Sequence, residues 1–234
     1  MMYHTLAHYY DALVGDPEAI AAWVHWIEKH ADHGSFLELA CGSGEITLQL
    51  SKEFTVTAMD LSADMVEQAK TKPGAERIEW KVGDMRDLSE YGKYDAVGCF
   101  CDSFNYILEP KEAEDFLHAC AGHLNPGGWL LFDTHSMDRL EEFEEPYDET
   151  GTFDDGMNVQ WVISAEEGLI YQDFAFYYPE RTVVENHIQR VYDPLWLRGI
   201  LQKDFEVVEI STDFDQPGIV EGEKIFFACR KKAN

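Results

Sequence analysis

One glutamate and two glycines in the run Glu38-Leu-Ala-Cys-Gly-Ser-Gly44 stand where a short apolar segment gives way to a helical pattern. Glycines at such a junction let the backbone approach a ligand closely, as in dinucleotide-binding turns. The third glycine of Gly-x-Gly-x-x-Gly is missing, because Thr47 takes its place. That speaks against a pyrophosphate as the ligand. Asp60 ends the next apolar run, Val56-Thr-Ala-Met59, where a carboxylate can accept both hydroxyls of a ribose. Asp84, in Gly83-Asp84-Met85, follows a third run and can accept from an adenine amino group, with Met85 packing on the ring. His135 is the best candidate for a base, since its reference pKa suits proton removal near neutrality. Asp102 and Asn105 follow a fourth apolar run, and with His135 they are the candidate catalytic residues. Tyr171, Tyr177 and Arg190 are further candidates for contact with a substrate. No catalytic triad is visible.

The elements that must position these residues alternate. A helix is expected over about 16–31, with Asp16 as N-cap, Pro17 at its first position and Ile20, Trp23, Val24 and Ile27 at helical spacing. Strands are expected at 36–40, 54–59, 77–82, 94–100 and 129–133, and helices at 45–52, 62–70 and 112–124, with Ser62 as a cap. The stretch Asn125-Pro-Gly-Gly128 reads as a turn. Such alternation implies a parallel sheet covered on both faces. After Asp133 the pattern changes. Residues 138–156 are acidic and loop-like, whereas 159–164, 169–178 and 182–192 are aromatic-rich runs with period two. These three predict an antiparallel sheet inserted into the main domain. A helix over 194–203 and strands at 205–210 and 224–229 close the main sheet. The predicted division is therefore a main domain over 1–137 and 193–234, with an inserted lid over 138–192.

The bulk composition narrows the function. A chain of 234 residues with 45% hydrophobic and 13% aromatic residues can bury one sizeable core. No run of 18 apolar residues occurs, so no membrane span is expected. The N-terminus has no basic stretch followed by an apolar one, which predicts no secretory signal and a cytoplasmic protein. Five cysteines cannot all pair, and reduced thiols follow. Cys99 and Cys101 alone are too few for a zinc site. The formal net charge of −27, with only 18 basic residues, repels phosphate backbones, so nucleic acid is not the expected substrate.

The successive runs, from Glu38-Leu-Ala-Cys-Gly-Ser-Gly44 through Met59-Asp60-Leu61-Ser62 and Gly83-Asp84-Met85 to Leu124-Asn-Pro-Gly-Gly-Trp-Leu-Leu-Phe-Asp133, resemble the motifs of class I S-adenosylmethionine-dependent methyltransferases in order and spacing. The resemblance implies an α/β, Rossmann-like fold with a seven-stranded sheet whose last strand is antiparallel. It implies S-adenosyl-L-methionine as cofactor. Glu38 would organise the glycine loop and the methionine amino group, and Gly42 and Gly44 would line the methionine portion. Asp60 would hold the ribose, and Asp84 with Met85 the adenine. Ala40, Leu61, Met65 and Phe100 would complete the cofactor site. Tyr9-Tyr10-Asp11, Cys101-Asp-Ser-Phe-Asn-Tyr106 and the inserted sheet are similar to the YqeM-like bacterial small-molecule methyltransferases. There an N-terminal tyrosine covers the cofactor, a role expected of Tyr10 or else Tyr9. The expected reaction is methyl transfer to nitrogen or oxygen of a small molecule, in a monomer or homodimer. No metal is expected, since Thr134 follows Asp133 where a metal-dependent relative needs another ligand. The alternatives are an S-adenosylmethionine-binding regulator without catalysis and, on the glycine turn alone, an NAD(P)-dependent oxidoreductase.

Overall fold

The computed structural model describes residues 5–233. Two helices lead the chain, α1 (Leu6–Val14) and α2 (Pro17–His30). Asp16 caps α2 as its sequence predicts, accepting from the backbone N–H groups of Glu18 and Ala19. The sequence pattern shows no helix over α1, because its cap does not come from neighbouring residues. Thr5 makes no side-chain cap there. Instead Glu185, far along the chain, accepts from the N–H groups of Thr5 and Leu6 at 2.6 and 3.0 Å.

Five parallel strands follow: β1 (Gly34–Leu39), β2 (Phe54–Asp60), β3 (Glu79–Val82), β4 (Tyr94–Cys99) and β5 (Leu124–His135). Between them lie α3 (Glu45–Leu50), α4 (Ala63–Lys70) and α5 (Pro110–Gly122). Ser62 caps α4 by accepting from the Met65 N–H. Residues 125–128 do not form a separate turn. They belong to β5, where the pairing jumps from Tyr94↔Leu124 to Ala96↔Trp129 and Gly127 takes φ +76°. The extra residues form a bulge, which is where such a Pro-Gly-Gly run fits inside a strand.

The acidic stretch after β5 is also more ordered than its composition suggests. It holds α6 (Asp138–Glu142) and β6 (Tyr147–Thr152). Every residue of β6 is exposed, so backbone pairing with β7 (Asn158–Glu166) holds it without a hydrophobic signal. The second sheet continues through β8 (Leu169–Tyr177) and β9 (Thr182–Arg190), antiparallel throughout in the order β6-β7-β8-β9.

After α7 (Pro194–Leu201) the chain returns to the main sheet through β10 (Phe205–Thr212), the two-residue β11 (Gln216–Pro217) and β12 (Lys224–Lys231). The order is β11-β10-β12-β5-β4-β1-β2-β3, with β12 antiparallel to both neighbours. This is the expected seven-stranded sheet, with β11 added at one edge. Alternate side chains along a strand point to opposite faces. Accordingly Leu130, Phe132 and Phe227 pack beside α5 and α7, while Leu131 and Phe226 pack beside α2 and α3. Among the described residues no helix is long and apolar enough to cross a membrane.

Candidate active site

A cavity of about 790 Å³ lies over the carboxyl ends of β1, β2, β4 and β5, between α1 and the inserted sheet. Open α/β sheets bind ligands at that end. Every residue expected to contact a cofactor lines it except Gly44, namely Tyr10, Glu38, Ala40, Gly42, Asp60, Leu61, Met65, Asp84, Met85 and Phe100.

Glu38 ends up buried because β1 carries it into the sheet interior, where it is only 2% exposed. Burial pushes its carboxyl up to about 8, and its Oε2 has no hydrogen-bond partner. An orphaned buried carboxyl beside an open glycine loop suits the ammonium of a methionine moiety. Gly42 takes φ +54°, and a Cβ built there would meet nothing nearer than the Tyr10 ring at 4.0 Å. Gly44 serves differently. Its φ is +79°, and a Cβ there would fall 2.6 Å from Trp80, so it permits close packing behind the loop. Ala40 holds φ +55° in the same loop.

Asp60 has two tasks. Its Oδ2 accepts from the Gly42 N–H and its Oδ1 from the Ser62 N–H, each at 2.8 Å. Each carboxylate oxygen has a second lone pair, which leaves capacity for the two hydroxyls of a ribose. Burial raises its pKa, while the two N–H donors act against that. Leu61, 56% exposed, stands at the rim and Met65 below it, a pair of apolar walls for a purine. Asp84 is less free than its sequence suggests. Arg86 binds both carboxylate oxygens, which holds the carboxyl below its usual range.

The two candidate tyrosines separate. Tyr10 lines the cavity. Tyr9 points into the inserted sheet, stacked on Phe153 at 4.4 Å and donating to Asp155 at 2.8 Å. Asp11, next in sequence, ties α1 to the glycine loop. It accepts from the Ser43 hydroxyl at 2.5 Å and pairs with Lys72 at 2.6 Å.

The other half of the cavity is walled by Trp161, Ile163, Ile170 and Phe174 of the inserted sheet. His135 closes β5 there and is 5% exposed. Its Nε2 lies 3.0 Å from Gln189 Oε1, and its Nδ1 lies 3.5 Å from Asp102 Oδ1. Burial lowers its pKa, partly countered by Asp102. Asp102 also pairs with Lys224, which crosses from β12. Burial would raise the Asp102 carboxyl, but His135 and Lys224 hold it below the usual range.

Asp133, fully buried, is the organising residue that sequence reasoning left without a role. It accepts from Trp23 Nε1 at 3.1 Å and from the N–H groups of Cys101 and Asp102 at 2.8 and 2.9 Å. Those two residues hold φ values of +56° and +58°. Such conformations cost on the order of 1–3 kcal/mol each and persist only where neighbours impose them. Burial, with Asp102 nearby, pushes Asp133 up to about 6.

Four candidates, Asn105, Arg190, Tyr177 and Tyr171, are not among the residues that line the cavity. Asn105 is fully buried and spent on structure. Its amide donates to Thr134 Oγ1 and the Arg190 carbonyl, and its Oδ1 accepts from the His135 N–H. Arg190 donates to the Leu108 carbonyl. Tyr177 donates to Gln160 on the outside of the sheet. Tyr171 alternates with Ile170 and Gln172, which do line the cavity, so it faces away. Period two shows that two faces exist without showing which one turns inward. The residues missed, Gln172, Gln189, Lys224 and Arg139, carry no local motif.

A family model described as a methyltransferase domain matches residues 36–128. YqeM of Bacillus subtilis, provisionally named a methyltransferase, is 30% identical over 99% of this chain and 98% of its own. A dTDP-3-amino-3,6-dideoxy-alpha-D-glucopyranose N,N-dimethyltransferase of Streptomyces fradiae is 27% identical over 86% of this chain and 79% of its own. The crystal structure of an S-adenosylmethionine-dependent methyltransferase from Clostridium acetobutylicum superposes with a TM-score of 0.83 at 24% identity, covering 99% of both chains.

Proposed function

The chain belongs to the S-adenosylmethionine-dependent methyltransferases, in the group of YqeM, and on that premise we propose that it methylates a small molecule at nitrogen or oxygen, with an amine favoured. The observation that carries this reading is the pair His135 Nδ1 and Asp102 Oδ1. Both are buried against the cavity, both lack a hydrogen-bond partner, and they are 3.5 Å apart. Two acceptors side by side call for two donated hydrogens. An amine nitrogen can supply both, whereas a hydroxyl supplies one. The N,N-dimethyltransferase relative supports the same preference.

Bound S-adenosylmethionine supplies a methyl group already activated on a sulfonium, so strong acid–base machinery is optional. The work left to the chain is alignment, water exclusion and handling of one proton. Glu38, Gly42 and Asp60 would hold the cofactor, with Tyr10 covering it. Trp161, Ile163, Ile170 and Phe174 would hold the acceptor and keep water out. Asp102 and His135 would orient the acceptor nitrogen and take up the proton it releases.

The test is a metabolite pool incubated with purified protein and S-adenosylmethionine carrying a deuterated methyl group. A mass-shifted product whose label resides on nitrogen is expected, with His135→Ala slowing its formation while cofactor affinity stays nearly intact. Labelled product on oxygen would remove the amine preference. Tight cofactor binding with no labelled product from any pool would favour a regulator without catalysis.

A further inference from the structure

Gln189 sits on β9, in the inserted sheet, yet its side chain ends in the charged group beside the cavity. Its Nε2 donates to the Asp102 carbonyl at 3.0 Å. A carbonyl can only accept, so the orientation of this amide is fixed by its partner. The Oε1 must then be the end that faces His135, at 3.0 Å from Nε2. The same Oε1 accepts from Gln172 Nε2 on β8 at 2.7 Å. An amide oxygen offers no proton. His135 Nε2 must therefore carry one, and in the neutral ring the lone pair is left on Nδ1.

We propose that Gln189 is a positioning residue that locks His135 in the Nε2–H tautomer and aims the Nδ1 lone pair at the acceptor. This rests on the reading of the site as a methyl-transfer centre. The inserted sheet is then more than a cover, because it decides which ring nitrogen can act. On methylation the acceptor nitrogen would form its new bond to the methyl carbon as the bond from that carbon to the donor's sulfonium sulfur breaks, its electron pair staying on sulfur as a neutral thioether. The nitrogen would give its proton to Nδ1. The product is an imidazolium with Nδ1–H toward Asp102 Oδ1 and Nε2–H still on Gln189, and the proton later passes to water. The charged groups acting on the ring come from three other elements: Asp102 after β4, Lys224 on β12 and Arg139 on α6. From β9 it meets the neutral amide of Gln189, which is itself bonded to Gln172 of β8. Asp102 favours the imidazolium, while Lys224 and Arg139 oppose it.

The tautomer can be read without knowing the acceptor. Long-range 1H–15N spectra of protein with 15N-labelled histidine report which ring nitrogen is protonated. The chain has nine histidines, so His135 is assigned by the signal lost in His135→Gln. The wild-type protein is expected to show a protonated Nε2 and a bare Nδ1. In Gln189→Leu the proton should move to Nδ1, where Asp102 Oδ1 can accept it. In Gln189→Glu the proton should stay on Nε2, and the His135 pKa should rise by roughly one unit or more, since an opposite charge has been added. A purely structural Gln189 would leave the tautomer unmoved in Gln189→Leu. A wild-type Nδ1–H tautomer overturns the proposal outright, as does an unmoved proton in Gln189→Leu. None of these spectra depends on finding a methylated product, so failure of the functional reading would be seen separately.

Discussion

Removing the Asp60 carboxylate does two things at once. It withdraws the proposed partner of two ribose hydroxyls, and it releases the Gly42 and Ser62 N–H groups that shape the glycine loop. Each unpartnered buried group costs roughly 1–3 kcal/mol. Asp60→Ala is therefore expected to lose well over tenfold in cofactor affinity by calorimetry, and unchanged affinity would remove Asp60 from the site. Glu38 gives a prediction in pH. Its carboxyl sits near 8 in the folded chain against an ordinary 4.5. Between those values the fold holds a proton that the unfolded chain has released, so stability falls as pH rises through that window. The melting temperature of the ligand-free protein should decline between about pH 4.5 and 8, and Glu38→Gln should flatten that decline. The same residues show what a sequence can convey. Glu38 lies inside an expected strand, and Asp60 and Asp84 stand just after two others, so strand positions place them without any tertiary knowledge. Gln189 and Lys224 meet Asp102 from strands 87 and 122 positions away, and nothing local marks them.

At the scale of elements, α1 is held at both ends by different parts of the molecule. Glu185 from the inserted sheet caps its start, and Leu6 and Tyr9 pack with Val159, Phe174 and Phe176 of that sheet. Asp11 near its end grips Ser43 and Lys72 beside the glycine loop. Loss of a helix cap costs about 0.5–2 kcal/mol. Glu185→Ala should therefore loosen α1 and speed cofactor release several-fold in stopped-flow chase experiments, although no atom of Glu185 is placed against the cofactor. An unaltered release rate would mean that α1 stays closed without its cap. The alternating main sheet was legible because most of its parallel strands are buried apolar runs bounded by turn residues or a cap, with β3, largely exposed, the exception. Helix α1 and strand β6 were not, because one borrows its cap from a distant glutamate and the other is exposed along its whole length.

For the molecule as a whole, the net charge of −27 is a self-repulsion that the compact state must bear. Salt relieves it, since the Debye length falls from about 30 Å at 0.01 M to about 3 Å at 1 M. The melting temperature should rise with sodium chloride across that range, and a fall would show that specific ion pairs outweigh the overall repulsion. The same charge reaches into the cavity mouth, where Asp11, Asp16, Glu45 and Glu223 stand along the wall. The methyl donor arrives as a net cation because of its sulfonium, whereas the thioether left after transfer has no net charge. An acidic entrance thus pulls in the fresh donor and exerts no such pull on the spent one. Discrimination between fuel and exhaust is then partly set at long range, as a difference in capture rate that added salt should erase for the donor and leave untouched for its product.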